Sequence, residues 1–294
     1  MKHFLLLTAL LALTATATAT AQPHHNPRII QDSIYSSILQ CHREFTVLLP
    51  PGFHHNPTAQ YPILYLLHGM YDDNRSWTNK GRLQDVADLL YANGEATEMV
   101  IVTPNAGGVD VHKQQNGYFD LDNWAYEQFF FNEFMPQIEK RFRIISDRNH
   151  RAIAGLSMGG GGATSYGQRH TDTFCAVYAM SALMDIPAGS EMLNADPDDK
   201  VAKLTRSVMR LSCTNLVRNA DEQTLQQLRT VSWFIDCGDD DFLLDRNIEF
   251  YQAMRAAHIP CQFRVRDGGH VWQYWHTALY TCLPFVSRCF TPAK

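Results

Sequence analysis

Five apolar residues in unbroken succession, Ile63-Leu64-Tyr65-Leu66-Leu67, leave neither side of their segment to water, and the pattern recurs along the chain. Met99-Val100-Ile101-Val102, Arg151-Ala152-Ile153-Ala154, the run from Phe174 to Met180, Trp233-Phe234-Ile235 and Phe263-Arg264-Val265 read as further strands. Strands this apolar belong inside a parallel sheet covered on both faces. The intervening segments carry helical stripes. Leu83, Val86, Ala87 and Leu90 form one, closed by Asn93-Gly94. Tyr126, Phe130, Phe134, Ile138 and Phe142 form a second, and Pro136 within it predicts a kink or a new first turn. Two extended runs, Ile29 to Leu39 and Glu44 to Leu49, precede these units, and Pro50-Pro51-Gly52 ends the second. A last helix begins near Val271. The stretch from Leu183 to Leu228 is acidic, loop-rich and without a strand pattern, and reads as an insertion lying over the strand ends. The fold class is therefore α/β: a mostly parallel central sheet, helices on both faces, and an insertion before the strand at Trp233.

The first residues bear on the compartment. Lys2 and His3 give a positive start, Phe4 to Leu13 an apolar run too short to span a bilayer, and Ala19-Thr20-Ala21-Gln22 an A-x-A cleavage pattern. Residues 1–21 are expected to be a signal peptide cut after Ala21, leaving 22–294 as a single α/β domain of 294 − 21 = 273 residues. That domain carries 24 basic and 30 acidic residues, a balance of −6, because the leader removes only Lys2 from the 25 and 30 of the whole chain. Mild acidity without a basic run argues against a nucleic-acid partner. No membrane anchor is expected. The seven cysteines are too scattered for a disulfide scaffold. Cys175 and Cys237 read as buried thiols, and Cys282 with Cys289 as a potential bridge. No metal-ligand spacing appears and no cofactor is expected; the His24-His25 and His54-His55 pairs read as surface loop.

Gly155-Leu156-Ser157-Met158-Gly159 follows a strand and opens a Gly- and Ala-rich helical segment. This strand–turn–helix setting exposes a serine hydroxyl on a turn too tight for flanking side chains, so Ser157 is the candidate nucleophile. A hydroxyl needs a base, and three histidines lie downstream. His258 ends a helical pattern and His276 falls inside the last helix. His270, in Asp267-Gly268-Gly269-His270, sits in a loop after a strand, where a base can lean over the strand ends. The orienting acid comes from Asp236-Cys237-Gly238-Asp239-Asp240-Asp241. Asp236 is in strand register, committing its side chain to the sheet, while Asp239, Asp240 and Asp241 remain open. The order Ser, Asp, His is that of α/β-hydrolases. Oxyanion donors are expected at the backbone N–H of Met158 and of Met70, the latter in the turn His68-Gly69-Met70. His68 itself is expected to be structural.

With these motifs the chain resembles the esterase family of α/β-hydrolases that holds feruloyl and acetylxylan esterases, S-formylglutathione hydrolases and mycolyltransferases. The matching pieces run in order: Phe45 to Gly52, Tyr61 to Gly69, Gly155 to Gly160, Gly238 with Asp241 at its fourth position, and Gly268-Gly269-His270 with Trp272. The resemblance implies that Asp241 is the acid, with Asp240 in reserve. It also implies a serine esterase acting on small-molecule or polysaccharide esters. Gly160-Gly161-Gly162 is longer than such an elbow requires and leaves the start of the next helix open. Trp77, Trp124, Trp272 and Trp275 stand near the loops expected to form the mouth, which suits an aromatic or sugar ester such as a feruloyl or acetyl ester of plant polysaccharide, with core packing as the alternative for each. Secretion disfavours a formylglutathione substrate. Acyl transfer by the same triad and a non-catalytic carbohydrate-binding role are the alternatives.

Overall fold

The computed structural model describes residues 27–290 apart from 109, 188, 192–195 and 197. The leader expected over 1–21, its cut after Ala21 and the His24-His25 pair lie outside them.

Eight strands form the central sheet: β1 (Ile29–Ser36), β2 (Cys41–Leu48), β3 (Ile63–Leu67), β4 (Val100–Pro104), β5 (Arg151–Leu156), β6 (Ala176–Met180), β7 (Ser232–Gly238) and β8 (Cys261–Arg266). Their order is β1-β2-β4-β3-β5-β6-β7-β8. The two extended runs at the start pair as an antiparallel hairpin through a turn at residues 37–40, and β2 runs antiparallel to β4. Every later pairing is parallel. The C-terminal ends of β3, β5, β6, β7 and β8 therefore open on one edge of the molecule, where an open parallel sheet places its ligands.

Period-two burial splits each central strand between two apolar cores. Ile63, Tyr65 and Leu67 face one, Leu64 and Leu66 the other, and all five side chains are buried. Helices α1 (Leu83–Ala92) and α8 (Trp272–Cys289) cover the Leu64 face. The Tyr65 face is covered by a composite helix, α2, by α3 (Met158–Arg169) and by α7 (Leu244–Ala256). The composite helix starts as Tyr126–Phe129, widens to a π-helical turn at Phe130–Phe134 and ends as Met135–Arg141. Pro136 opens the last piece as a new first turn, since it has no N–H to return to the preceding turn. The wide turn also answers the spacing of the stripe. Apolar residues every four positions would drift around an ideal α-helix by about 40° per step. A π turn offsets that drift, and Tyr126, Phe130, Phe134, Ile138 and Phe142 all stay buried.

Between β6 and β7 the insertion holds three helices, α4 (Lys200–Arg210), α5 (Cys213–Asn219) and α6 (Glu222–Leu228). Asp199, Ser212 and Asp221 cap their N-termini by accepting the N–H of Ala202, Asn215 and Thr224. The insertion leaves β6 over the strand ends, with the Leu183 N–H on Ser157 O at 2.9 Å. Its helices then depart from the expected position. They bury Leu204, Val208, Val217 and Leu228 in the Tyr65-side core, so they extend the helical layer instead of roofing the strand ends. Cys282 and Cys289 do not bridge: both lie in α8, seven residues and about 10 Å apart along its axis, and all seven cysteines are free thiols.

Candidate active site

Ser157 follows β5 immediately and holds φ 53°, ψ −120°, a conformation that costs a non-glycine residue about 1–3 kcal/mol. Surrounding backbone imposes it. The Ser157 N–H donates to Met180 O at 2.9 Å, and its carbonyl accepts the N–H of Gly161 and Leu183. The glycines around it are sites of close approach. A Cβ on Gly155 would lie 2.3 Å from Gly159 O, and one on Gly159 2.5 Å from His68 O. The rest of the glycine run has the same cause: a Cβ on Gly160 meets Ala182 at 2.8 Å, on Gly161 Leu183 O at 2.2 Å, on Gly162 the Tyr118 ring at 2.8 Å. Helix α3 thus begins directly at Met158, and its glycines let it press against the ends of β3 and β6.

His270 Nε2 lies 2.9 Å from Ser157 Oγ, and His270 Nδ1 lies 3.0 and 2.9 Å from the two carboxylate oxygens of Asp241. The loops that deliver them touch through their glycines, since a Cβ on Gly238 would sit 1.9 Å from Gly268 O. Gly268 has φ +133°, open to glycine alone among ordinary residues. The structure separates the acids that spacing left open. Asp241 is 4% exposed and meets His270; Asp239 and Asp240 are exposed, and Asp239 Oδ1 accepts the Gly268 N–H at 3.0 Å. Asp236 is fully buried in β7. It accepts the hydroxyls of Tyr178 and Tyr274 at 2.6 Å each and pairs with Arg264, a sheet role as its register implies.

Burial pushes the Asp241 carboxyl upward, but hydrogen bonds from His270 and the Leu243 N–H outweigh it and hold the group below the usual carboxylate range. Ser181 is a site residue that no sequence motif marks. It stands directly after β6 at φ 46°, fully buried, and its Oγ accepts Trp275 Nε1–H at 3.0 Å. The edge-on Trp275 ring flanks His270 at 4.9 Å. Asn247 is the other unmarked residue. From α7 it accepts the Ala182 N–H and donates to the carbonyls of Ala182 and Leu243, tying the acid loop to the end of β6.

His68 has a structural position. Fully buried, it donates Nδ1–H to Gly69 O at 2.7 Å and accepts the Ala106 N–H on Nε2 at 3.0 Å, and burial lowers its pKa. The turn it anchors lies against the serine, since a Cβ on Gly69 would be 3.4 Å from Ser157 Cβ. Among the described residues, neither the Met70 nor the Met158 backbone N–H has an acceptor. Three of the four tryptophans placed at the mouth are instead buried. Trp77 donates to Leu67 O, Trp124 stacks on Tyr126, and Trp275 backs His270; only Trp272 is part-exposed. Among the described residues, Tyr71, next to Met70 in sequence, and Phe242, against His270, are aromatic and open to solvent.

This arrangement can pass a proton from Oγ to Nε2 while a carboxylate holds the other ring nitrogen protonated. Three strand ends deliver hydroxyl, imidazole and carboxylate in line, and on this strand order the molecule is an α/β-hydrolase. Residues 36–286 match the family described as Putative esterase; the chain belongs to that family and is a carboxylic ester hydrolase. A solved ferulic acid esterase is 61% identical and superposes with TM-score 0.85, covering 89% of this chain and 98% of that one. An S-formylglutathione hydrolase from Staphylococcus aureus shares the fold at 21% identity and TM-score 0.69, covering 88% and 98%. An acetyl esterase of Caldicellulosiruptor saccharolyticus is 23% identical over 88% of this chain and 98% of its own length. An endo-1,4-beta-xylanase/feruloyl esterase of Xylanibacter ruminicola is 34% identical over 101 residues, which are 34% of this chain and 14% of that longer protein.

Proposed function

We propose that this protein is an exported serine esterase that cleaves feruloyl or acetyl esters of plant polysaccharide through an acyl-enzyme, with Ser157 as nucleophile, His270 as base and Asp241 as acid. The observation that carries the mechanism is the hydrogen-bonded line from Ser157 Oγ through His270 to Asp241, every link 2.9–3.0 Å. His270 Nε2 takes the Oγ proton as the oxygen attacks the ester carbonyl. The oxyanion meets the N–H groups of Met158 and Met70. His270 then gives its proton to the departing alcohol, and water resolves the acyl-enzyme by the same path in reverse.

The 61% identity to a ferulic acid esterase and the match to a xylanase/feruloyl esterase support a phenolic ester of polysaccharide as substrate. Charge supports a neutral one. Asp239, Asp240 and Asp267 are exposed, their carboxylates lie within 4.8 Å of one another beside the His270 loop, and they would repel an anionic thioester such as that of glutathione. The leader pattern at residues 1–21 supports export, and N-terminal sequencing of the exported protein is expected to start at Gln22. A start at Met1 would overturn that part. Substrate class is tested with methyl ferulate, acetylated xylan, short nitrophenyl esters and S-formylglutathione. Feruloyl or acetyl esters of the plant type should have the highest kcat/KM. Preference for the glutathione thioester would overturn the reading, and mass spectrometry of a trapped intermediate should place the acyl group on Ser157.

A further inference from the structure

Among the described residues seven large hydrophobic side chains are exposed, and three of them adjoin the site in sequence. Tyr71 (62% exposed) follows Met70, Phe242 (75%) follows Asp241, and Val271 (47%) follows His270. Isolated exposed apolar residues are ordinary, but three that each stand one residue beyond Met70, Asp241 or His270 point to a contact surface. Phe242 is the most exposed of the seven, and its ring centroid stands 4.5 Å from that of His270. Its backbone is held on both sides. Asp241, buried, accepts the Leu243 N–H; Leu243, buried, gives its carbonyl to Asn247; and the Leu244 N–H returns to Asp241 O. Between the buried Asp241 and Leu243, Phe242 projects into solvent, and it does so against the imidazole from a fixed base.

We infer that Phe242 is the platform for the sugar on the alcohol side of the ester. The inference rests on the proposed reading of Ser157 and His270. In that reaction His270 Nε2 hands its proton to the departing alcohol, so the alcohol passes beside the imidazole while the acyl group stays on Ser157. A ring packed on the exposed flank of the imidazole meets the leaving group, not the acyl chain. A sugar fits such a ring because one face of a pyranose or furanose is lined by C–H groups that pack on an aromatic face, while its hydroxyls stay in water. An exposed, preordered ring contributes this contact without a closed pocket, which suits an alcohol that continues into polymer. A methyl ester has no such sugar and gains nothing from it.

The test is leaving-group selectivity. With wild type and Phe242→Ala, kcat/KM is measured on feruloylated arabino-oligosaccharide and on methyl ferulate, and on acetylated xylo-oligosaccharide and ethyl acetate. Phe242→Ala should lower the sugar-to-simple-alcohol ratio by about five- to tenfold while methyl ferulate turnover stays within about twofold. Phe242→Trp should restore the ratio. An equal loss on sugar and simple esters would overturn the inference, because Phe242 would then be supporting His270 or the acyl group. So would a wild-type enzyme with no preference for the sugar ester in either pair. The acetyl pair reads Phe242 whichever acyl group the enzyme prefers, whereas the choice between feruloyl and acetyl substrates tests the proposed function separately.

Discussion

Replacing Asp241 by asparagine changes one atom's chemistry at the point where two donors converge. The carboxylate takes hydrogen bonds from His270 Nδ1 at 2.9 and 3.0 Å and from the Leu243 N–H at 2.9 Å. Asparagine keeps one accepting oxygen, and the Leu243 N–H, fixed in the backbone, claims it. The amide NH2 is then left facing His270, whose Nδ1 must accept and whose proton moves to Nε2, against Ser157 Oγ. A base already protonated on that nitrogen cannot take the serine proton. Loss of the orienting carboxylate should lower kcat about 10⁴-fold, and at about 1.36 kcal/mol per tenfold that is roughly 5.4 kcal/mol of transition-state stabilisation. KM should change little, since no substrate contact is removed. Ser181→Ala removes the acceptor of the Trp275 indole N–H beside His270 and leaves the tautomer intact, so a fall of only about 2- to 10-fold is expected, the worth of a neutral hydrogen bond. Asp240→Asn changes an exposed charge one residue away and should cost only a few-fold, because solvent screens it. The assay is steady-state kinetics on methyl ferulate with circular dichroism to confirm the fold. An Asp241→Asn enzyme within tenfold of wild type, or an inactive Asp240→Asn, would refute the assignment.

Four further outcomes follow from the geometry. Ser157→Ala and His270→Ala should each abolish nearly all turnover, and the double variant should be no worse than either, leaving a residual of roughly 10³ over water; multiplicative losses would show that the two do not act together. Asp236→Asn should lower stability without touching the chemistry: it breaks a buried carboxylate's links to Tyr178, Tyr274 and Arg264, and Arg264 is 31% exposed, so about 3 kcal/mol, or roughly 6–12 °C in Tm, is expected by calorimetry. Gly159→Ala should destabilise even though alanine is the better helix former by about 1 kcal/mol, because its Cβ would meet the His68 and Leu67 carbonyls at 2.5 and 2.7 Å; a raised Tm would contradict the close approach. His68 is held neutral by burial, with its pKa below the ordinary value, so the unfolded chain binds a proton first as pH falls below about 6.5. Stability should therefore decline through that range, less steeply in His68→Gln, and parallel Tm-versus-pH profiles would count against the account.

The parallel sheet, the tight turn at Ser157 and the loop that carries His270 were legible in the chain because each rests on local chemistry. Unbroken apolar strands demand burial on both faces, a tight strand–helix turn demands glycines at 155 and 159, and a Gly-Gly-His loop after a strand can reach only over the sheet's edge. What local sequence left open was whatever depends on two loops meeting. Asp239, Asp240 and Asp241 are chemically identical neighbours, and the turn buries the third against His270 while leaving the other two in water. The glycines from 160 to 162 have no local reason at all; their partners, Ala182, Leu183 and Tyr118, come from elsewhere in the chain. For the same reason Ser181 and Asn247 carry no motif, since their contacts, Asn247 with Ala182 across 65 residues and Ser181 with Trp275 across 94, form only after folding brings β6 beside β7 and α8. The tryptophans show the limit most plainly. An aromatic residue is equally at home in a core and at a mouth, and packing alone sent Trp77, Trp124 and Trp275 inward and left Phe242 standing beside the histidine in solvent.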